Sequence, residues 1–392
     1  KMVEPFHADK DAQILLLSYT NRAVDEICKS LASIAPAVDF IRVGSELSCD
    51  EAYRGHLIEN ELSSCNRRSE VYERIRNCRI IVGTVAAISG KPELFRLKHF
   101  DVAIIDEATQ ILEPQLLGIL CARGEDGKDA IDKFVLIGDH KQLPAVVQQN
   151  TEQSAIYDES LLSIGLTNLK DSLFERLYRN CTATVHRSYD MLCRQGRMHP
   201  EVALFANRAF YGGRLIPVGL PHQIESSDTI CRLAFYPSVP EKAGASAKIN
   251  YSEARIVADL AVRIYEDHQT DFDESRTLGI ITPYRSQIAL IKKEIESLGI
   301  PALNRILVDT VERFQGSERD VIIYSFCVNY PYQLKFLSNL TEEEGVLIDR
   351  KLNVALTRAR KQMFITGVPE LLERNPLYKS LLKLIESLRI IA

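Results

Sequence analysis

Continuous apolar runs alternate along the chain with segments of helical, amphipathic pattern. In the first half, the predicted strands lie at Ile14–Leu17 and within "CRIIVGTVAAI" (78–88), "FDVAIIDEA" (100–108) and "KFVLIGDHKQLP" (133–144). An amphipathic helix is predicted from about Ala23. Apolar strands that alternate with helices are typical of a parallel sheet covered on both faces. We therefore predict an α/β fold for this half.

The second half repeats the pattern. Its predicted strands lie in the segments 277–287, 306–326 and 361–367. The intervening stretch 146–168 is polar and predicts a loop with a short helix. We therefore predict two domains, 1–170 and 171–392, and a small helical insertion at about 45–78 in the first.

The composition is that of a soluble globular protein, with 46% hydrophobic and 26% charged residues. The net charge is -5, so a nucleic-acid contact would have to come from a local groove. The nine cysteines show neither a CxxC pair nor metal-ligand spacing, which indicates free thiols in a reducing compartment. Since the sequence shows no signal-peptide pattern and no membrane-length apolar run, we expect a cytoplasmic protein, or a nuclear one in a eukaryote, without a membrane partner.

Two carboxylates, Asp106 and Glu107, follow the strand in "FDVAIIDEATQILEP". In open parallel sheets, ligands bind outside the carboxyl ends of the strands. An acid pair at such an end is the Walker B arrangement, in which the first acid holds Mg²⁺ and the second orients and deprotonates the attacking water. Taken alone, the pair is also compatible with a solvated turn.

A second acid follows the next strand, at "IGDHKQLP". Asp139 is therefore a further candidate for a nucleotide site, and Gln142 lies three residues later. An amide can donate to a γ-phosphate oxygen without competing with the metal for charge, so Gln142 suits a nucleotide sensor. A polar turn before Pro144 is the alternative.

Arginines next to apolar segments occur in the second half, in "QGRMHP" (195–200) and "LNVALTRAR" (352–360). Phosphoryl transfer needs fixed positive charge on the transferring group, and the guanidinium fork provides it. Arg197 and Arg358 are the candidates. Each could instead be a helix-surface arginine paired with an acid.

Together these motifs resemble the superfamily 1 helicases, and within them the 5′-to-3′ branch that contains the nonsense-mediated-decay RNA helicase and the Dna2-type helicases. The matches follow the family order over roughly residues 14–367, which makes a chance match negligible. They are "SYTNRAVD" for motif Ia, "VGTVAAI" for Ic, "DEATQ" for II, "GDHKQLPA" for III, "QGRMHP" for the QYRMHP box, "ITPYRSQ" for IV, "DTVERFQGSERDVII" for V and "LNVALTRAR" for VI.

The resemblance implies a P-loop NTPase helicase core of two RecA-like domains, with ATP in the cleft between them and single-stranded DNA or RNA across the top. It implies that Asp106 binds Mg²⁺, that Glu107 is the catalytic base and that Gln142 senses the γ-phosphate. Arg197 and Arg358 would be the arginine fingers. The resemblance adds three residues on the nucleotide side of motif V: Gln315, Gly316 and Glu318.

The resemblance also implies which residues face the nucleic-acid strand: Thr20, Asn21, Thr84, Pro283, Tyr284 and Thr310. Short hydroxyl and amide side chains suit contacts to phosphate and sugar, so little sequence specificity is expected. A monomeric motor is expected, and its 5′-to-3′ direction comes from the resemblance alone. The sequence leaves the choice between DNA and RNA open.

The chain departs from the family in lacking a GxxxxGK(S/T) phosphate-binding loop. The stretch "KMVEPFHADKDAQILLLSYTN" at the start is similar to the tail of the helix that follows this loop, then the next loop and the next strand. We therefore expect a fragment, or a protein whose upstream part is on another chain. Without the backbone N–H groups and lysine of the loop, the β- and γ-phosphates lose their binding site, and the chain as given should not hydrolyse ATP.

A second departure is Gly196, which stands where the family has the tyrosine that stacks on adenine. Glycine has no ring, so base stacking is lost or supplied elsewhere. We expect relaxed selectivity for purines.

Two other classes of function compete with an ATP-driven translocase. A non-catalytic nucleic-acid-binding scaffold is favoured by the missing phosphate loop, but the retained acids, glutamine and arginines speak against it. A different P-loop enzyme, such as a small-molecule kinase, would not need motifs Ia, Ic, IV and V. No nuclease, zinc or RNA-binding appendage is visible in the sequence.

Overall fold

The structure of the protein, a computed structural model, describes residues 11–34, 38–183, 188–225, 231–242, 246–343 and 345–391. Residues 1–10, which begin the stretch expected to contain the helix tail, lie outside this part of the chain. The chain divides into two compact units. The N-terminal unit comprises Lys1–His140 and Pro144–Asp190, and the C-terminal unit comprises Lys141–Leu143 and Met191–Ala392.

The N-terminal unit is built on one five-stranded sheet. Its strands are β1 (Ile14–Ser18), β2 (Phe40–Val43), β3 (Ile80–Thr84), β4 (Val102–Ile105) and β5 (Phe134–Leu136). Its helices are α1 (Asn21–Ala32), α2 (Ile58–Glu61), α3 (Arg68–Asn77), α4 (Val85–Ser89), α5 (Glu93–Leu97), α6 (Glu113–Leu120), α7 (Glu159–Ser163) and α8 (Leu173–Thr182). Short 3₁₀ helices lie at Glu46–Ser48, Glu51–His56 and Ala108–Gln110.

The strands of this sheet are parallel, in the order β2-β3-β1-β4-β5. Successive side chains of β1 point to opposite faces. Leu15 and Leu17 join a core with residues of α4, α5 and α6, whereas Ile14 and Leu16 pack with residues of α1. The predicted parallel sheet with two covered faces is confirmed.

Strand β5 lies at one edge of the sheet. In the described part of the chain it pairs only with β4. Its side chains Phe134, Val135 and Leu136 are half-buried, in contrast to the fully buried side chains of β1, β3 and β4. An apolar strand with one open edge suits the addition of a further strand.

Helix α8 belongs to the N-terminal unit, which therefore extends beyond the boundary that the sequence predicted near residue 170. Leu173 is part of its core. Arg176 of α8 donates through Nε to a carboxylate oxygen of Glu113 on α6 at 2.8 Å, and both side chains are buried. Removing either partner of such a buried pair would leave an uncompensated charge, so α6 and α8 are held together.

The C-terminal unit has a second five-stranded sheet and two small two-stranded ones. Its strands are β6 (Arg194–Gln195), β7 (Ile216–Pro217), β8 (Leu233–Pro237), β9 (Leu278–Ile281), β10 (Leu307–Asp309), β11 (Arg319–Ser325), β12 (Leu340–Glu343), β13 (Val346–Asp349) and β14 (Ala359–Gly367). Its helices are α9 (Pro200–Phe210), α10 (Pro221–Ile224), α11 (Tyr251–Asp267), α12 (Arg285–Ser297), α13 (Val311–Phe314), α14 (Leu334–Leu337), α15 (Arg350–Leu356), α16 (Pro369–Leu372) and α17 (Pro376–Ile391). Short 3₁₀ helices lie at Leu303–Arg305 and Pro331–Gln333.

The larger sheet is parallel in the order β10-β9-β11-β14-β8. Ile322 and Tyr324 of β11 pack with residues of α9, α15 and α17 on one face. Val321 and Ile323 pack with residues of α11 and α12 on the other. Strands β12 and β13 form a separate antiparallel hairpin. In the part of the chain that the structure describes, every helix is too short or too polar to cross a bilayer.

A buried acid, Glu253, lies in the first turn of α11. Its carboxylate accepts hydrogen bonds from the hydroxyl of Ser325 at 2.7 Å and from the N–H of Cys327 at 2.8 Å. Cys327 has a φ of 49°, in the left-handed region that non-glycine residues rarely adopt, so Glu253 holds a strained turn. Burial raises the pKa of Glu253 to about 7, although these hydrogen bonds oppose the rise.

We expect Glu253 to make stability fall as the pH rises. Its folded pKa of about 7 exceeds the ordinary value of 4.5, so the folded state retains a proton that the unfolded state loses. Its contribution is therefore fully present below pH 4.5 and is lost as the pH rises through about 7. Glu253→Gln should reduce the change in the free energy of unfolding over this pH range, measured by urea unfolding, by at most about 3 kcal/mol. The exposed Glu266 of the same helix provides the control, Glu266→Gln, and equal pH profiles for the two variants would contradict the prediction.

Candidate functional site

Asp106 and Glu107 directly follow β4, at the carboxyl edge of the N-terminal sheet. The N–H of Asp106 donates to the carbonyl of Leu17 at 2.8 Å, which ties it to the end of β1. Glu107 has a φ of 53°, and its Oε2 accepts a hydrogen bond from the side chain of Gln110 at 2.8 Å. Left-handed non-glycine residues cluster at functional sites, so the backbone of Glu107 supports a role beyond a solvated turn.

The environment of Asp106 suits a metal ion. Burial raises the pKa of its carboxyl group, and a backbone hydrogen bond from Glu107 opposes the rise. Among the described residues, no basic side chain forms an ion pair with it. Mg²⁺ is usually held by one or two carboxylates together with water and phosphate oxygens. The residues present therefore fit Mg²⁺ held by Asp106.

Strand β5 brings Asp139 to the same edge. The register pairs Ile105 with Leu136, so the carboxyl ends of β4 and β5 are neighbours. A Cβ on Gly138 would lie 2.8 Å from the side chain of Thr109, so only glycine permits this close approach. Asp139 follows that glycine directly.

Gln142 and Arg358 are in contact within the C-terminal unit. Nη2 of Arg358 donates to Oε1 of Gln142 at 3.1 Å, and Nε donates to the carbonyl of Val354 at 3.1 Å. Arg358 is only 2% exposed. The buried guanidinium is therefore held in a fixed orientation, with Gln142 as one of its partners.

Arg197 lies beside Arg358, because both contact Thr357. Nη1 of Arg197 donates to the carbonyl of Thr357 at 3.4 Å, and Nη2 of Arg358 donates to its hydroxyl at 3.2 Å. Nε of Arg197 donates to Glu318 at 2.7 Å. His222 lies 2.8 Å from the carbonyl of Arg197 and donates to it, which anchors the backbone. The two candidate arginine fingers thus converge on one residue.

Glu318 is the acid at this cluster. Its partial burial favours the neutral form, but the hydrogen bond and charge of Arg197, with the charges of Arg360 and Arg358, outweigh this effect and lower the pKa of Glu318. Arg360 lies 3.6 Å from the same carboxylate. Glu318 is therefore a charged partner that holds Arg197 in place.

The other two motif V candidates leave room for a ligand. Nε2 of Gln315 is buried and has no hydrogen-bond partner among the residues described. Gly316 has a φ of 74°, which favours glycine, and a Cβ there would meet open space. An unsatisfied buried donor at Gln315, followed in sequence by a glycine with open space, fits a polar ligand such as a nucleotide.

Sequence reasoning missed two basic residues of this unit. Lys141 donates to the carbonyl of Phe210 at 2.7 Å, and its own carbonyl accepts from Asn353 at 2.8 Å, which docks Gln142 onto the C-terminal unit. Arg360 pairs with Glu318 and with the buried Asp320, 3.4 Å away. Both residues lie inside recognised motifs. The hydrophobic pattern of the sequence does not indicate which distant residues they contact.

The N-terminal candidates for nucleic-acid contact lie at the ends of adjacent strands. Thr20 and Asn21 follow β1, and Thr84 ends β3, whose register pairs it with Ser18. The hydroxyl of Thr20 accepts from the N–H of Ala23 at 3.2 Å, and that of Thr84 accepts from Ala87 at 3.1 Å. A hydroxyl that accepts a capping bond can still donate, so the exposed Thr20 can bind a phosphate oxygen, whereas Thr84 is only 7% exposed.

The C-terminal candidates show the same arrangement. Pro283 and Tyr284 follow β9, Thr310 follows β10, and the register pairs Asp309 with Ile281. Tyr284 precedes α12, and its hydroxyl accepts a hydrogen bond from Gln333 at 3.1 Å. These three residues therefore share the carboxyl edge of the second sheet.

Gly196 has aliphatic neighbours. A Cβ at this position would lie 3.5 Å from side-chain atoms of Val218 and Leu220, an ordinary contact distance. Both side chains are 40% exposed. The surface around Gly196 is therefore aliphatic and offers no aromatic ring from position 196 for a base to stack on.

Two parallel α/β sheets, one with acids at its strand ends and the other with converging arginines, are typical of the helicase class of P-loop NTPases. Two family models described as AAA domain match the chain, over residues 58–150 and 169–370. The solved complex of the Arterivirus nonstructural protein 10 helicase with DNA has a TM-score of 0.42 and 13% identity over 93% of this chain and 58% of that one, a likeness too low to support a conclusion.

Two related proteins match more than nine-tenths of the chain. The DNA replication ATP-dependent helicase/nuclease DNA2 of Xenopus laevis is 30% identical over 401 residues, which cover 92% of this chain and 33% of that protein. The DNA2 protein of Gallus gallus is 31% identical over 375 residues, 94% of this chain and 33% of that protein. The chain thus belongs to the AAA-domain family of superfamily 1 helicases, on the branch that includes the Dna2-type proteins, and it spans about a third of the length of these relatives.

Proposed function

We propose that this chain is the core of an ATP-dependent helicase that translocates along single-stranded nucleic acid. The observation that carries the proposal is the convergence of Arg197 and Arg358 on Thr357, with Gln142 and Glu318 bound to them. Fixed guanidinium groups stabilise the charge of a transferring phosphoryl group.

Each candidate residue has a distinct role in this proposal. Asp106 holds Mg²⁺, which neutralises phosphate charge when bound, and Glu107 orients and deprotonates the attacking water. Arg197 and Arg358 act on the γ-phosphate, and Gln142, bonded to Arg358, reports its presence. Asp139, Gln315 and Gly316 contribute to nucleotide binding.

We propose that a phosphate-binding loop supplied from outside these 392 residues completes the ATPase. The sequence contains no GxxxxGK(S/T). The open edge of β5 and its half-buried side chains suit a further parallel strand leading into such a loop. The 392-residue chain alone is then an inactive ATPase that retains its nucleic-acid contacts.

The proposed strand contacts are the six residues at the sheet edges, Thr20, Asn21, Thr84, Pro283, Tyr284 and Thr310. DNA is the favoured substrate, because the relatives are named DNA replication helicases. Translocation is proposed to run 5′-to-3′, by a monomer. Since Gly196 offers no ring, base recognition is proposed to be weak.

ATP turnover in a form of the protein that carries a phosphate-binding loop ahead of β1 tests the proposal. Single-stranded DNA should stimulate turnover, and pyrimidine triphosphates should be used nearly as well as ATP. A duplex with a 5′ overhang should be unwound, and one with a 3′ overhang should not. Absence of turnover with and without DNA would contradict the proposal.

The non-catalytic scaffold is the alternative that the missing loop favours. It predicts that single-stranded DNA binds but that restoring a phosphate loop produces no turnover. The same assay therefore separates the two functions.

A further inference from the structure

A tyrosine-rich segment, Tyr330–Tyr332, lies next to the predicted nucleic-acid contact at Tyr284. Tyr284 follows β9, and Tyr330–Tyr332 follows β11 after a short link. These strands are paired neighbours, with Tyr324 opposite Ile281. Since both segments leave the carboxyl ends of adjacent parallel strands, they share one edge of the sheet. None of the recognised motifs contains Tyr330–Tyr332.

A buried amide holds this segment against Tyr284. Nε2 of Gln333 donates to the hydroxyl of Tyr284 at 3.1 Å and to the carbonyl of Ala247 at 2.7 Å. Its Oε1 accepts from the N–H of Tyr330 at 2.9 Å. Gln333 is only 2% exposed. Because its donors and acceptor are satisfied in a dry site, the position of the tyrosine segment is fixed relative to Tyr284.

The two rings of the segment form a stack, in which Tyr330 is half-buried and Tyr332 is exposed. The centroids of Tyr330 and Tyr332 are 5.7 Å apart, with an interplanar angle of 14°. Tyr332 is 55% exposed, although an aromatic ring normally contributes to stability by burial. A parallel, supported ring that faces solvent is the arrangement that a nucleobase can stack on.

The charges around the stack favour an anionic backbone. Lys248 and Arg285 directly follow Ala247 and Tyr284 in sequence, Lys335 stands two residues after Gln333, and all three are exposed. Lys248 lies between Ala247 and Ile249, whose carbonyls accept hydrogen bonds from Gln333 and Asn329. Exposed cations close in sequence to this aromatic segment can add phosphate attraction to base stacking, the combination that single-strand binding uses.

We propose that Tyr332, supported by Tyr330, stacks on a base of the bound single strand and extends the contact made by Pro283 and Tyr284. The inference rests on the proposed function, since it assigns a base-stacking site to the same strand. The motif residues are proposed to contact phosphate and sugar, whereas Tyr332 would contact the face of a base. Stacking of this kind tolerates every base, so sequence preference stays low.

Equilibrium binding of a labelled oligothymidylate to the 392-residue chain, followed by fluorescence anisotropy, tests the inference. Tyr332→Ala should weaken binding by about 5- to 30-fold, and Tyr332→Phe should bind like the unaltered chain. The salt dependence of binding should be the same for both variants, because no phosphate contact is removed. The control is Tyr157→Ala, which removes a ring 82% exposed in the N-terminal unit.

An abasic oligonucleotide of equal length separates stacking from charge. The unaltered chain and Tyr332→Ala should bind it with equal affinity, since it has a backbone but no bases. If Tyr332→Ala binds oligothymidylate as tightly as the unaltered chain does, the inference is wrong and the proposed function stands. If the unaltered chain does not bind single-stranded DNA, both the inference and the proposed function are wrong. If Tyr332→Ala weakens binding of the abasic strand as much as binding of oligothymidylate, stacking on a base would also be excluded.

Discussion

Replacing Arg358 by alanine should lower ATP turnover by about 10³- to 10⁵-fold in a form of the protein with a phosphate-binding loop. The guanidinium is held by Gln142, Thr357 and the carbonyl of Val354, so its charge is in place before the reaction. Such preorganised charge acts on the transition state. The loss should therefore appear in kcat, with a smaller change in KM.

The control for Arg358 is Arg360, two residues later, whose side chain is 27% exposed and pairs with Glu318 and Asp320. Arg360→Ala should lower turnover far less. Because Arg358 is buried, thermal unfolding of each variant is needed to show that the fold is kept. Arg358→Lys, which keeps the charge but loses the planar fork, should remain strongly impaired. Equal activities of Arg358→Ala and Arg360→Ala would contradict the assignment.

Replacing Glu107 by glutamine should lower kcat by about 10²- to 10⁴-fold in the same form of the protein, with nucleotide binding retained. Glutamine keeps the size of the side chain but cannot accept a proton from water. Asp106→Asn should instead weaken Mg²⁺-dependent nucleotide binding, because a metal ligand is lost. Single-turnover hydrolysis and Mg²⁺ titration distinguish the two results.

The assignment of Glu107 would be contradicted by normal hydrolysis in Glu107→Gln. The 392-residue chain without a phosphate loop should show no turnover in either variant. Glu107-dependent hydrolysis by that chain would contradict the proposal that a loop from outside the chain completes the site.

The positions of the strands, and of the acids that follow them, could be predicted from the sequence. Buried parallel strands are continuous apolar runs, so Ile14–Ser18 and Val102–Ile105 are visible without a structure. Acids directly after such runs, such as Asp106 and Asp139, must then lie at the carboxyl edge. Arg197 and Arg358 could be predicted as candidates from their position next to apolar segments, and the family resemblance implies their role as arginine fingers.

Contacts between distant segments could not be predicted. The pair Arg176–Glu113 extends the N-terminal unit through α8, but neither residue breaks the local helical pattern. The docking of Lys141 onto Asn353 and Phe210 likewise depends on residues far along the chain. Glu253 resembles an ordinary acid of a helix start, and only packing shows that it is buried. Periodicity reports the face of a helix or strand, whereas such partners are set by tertiary structure.

The open edge of β5 has a consequence for handling the protein. A half-buried apolar strand that pairs on one side only, as β5 does among the residues described, is a template for pairing with another chain. The 392-residue chain is thus at risk of aggregation through this edge. A strand that pairs with β5 would remove the template as well as lead into a phosphate loop, so solubility and ATP hydrolysis would be gained from the same segment.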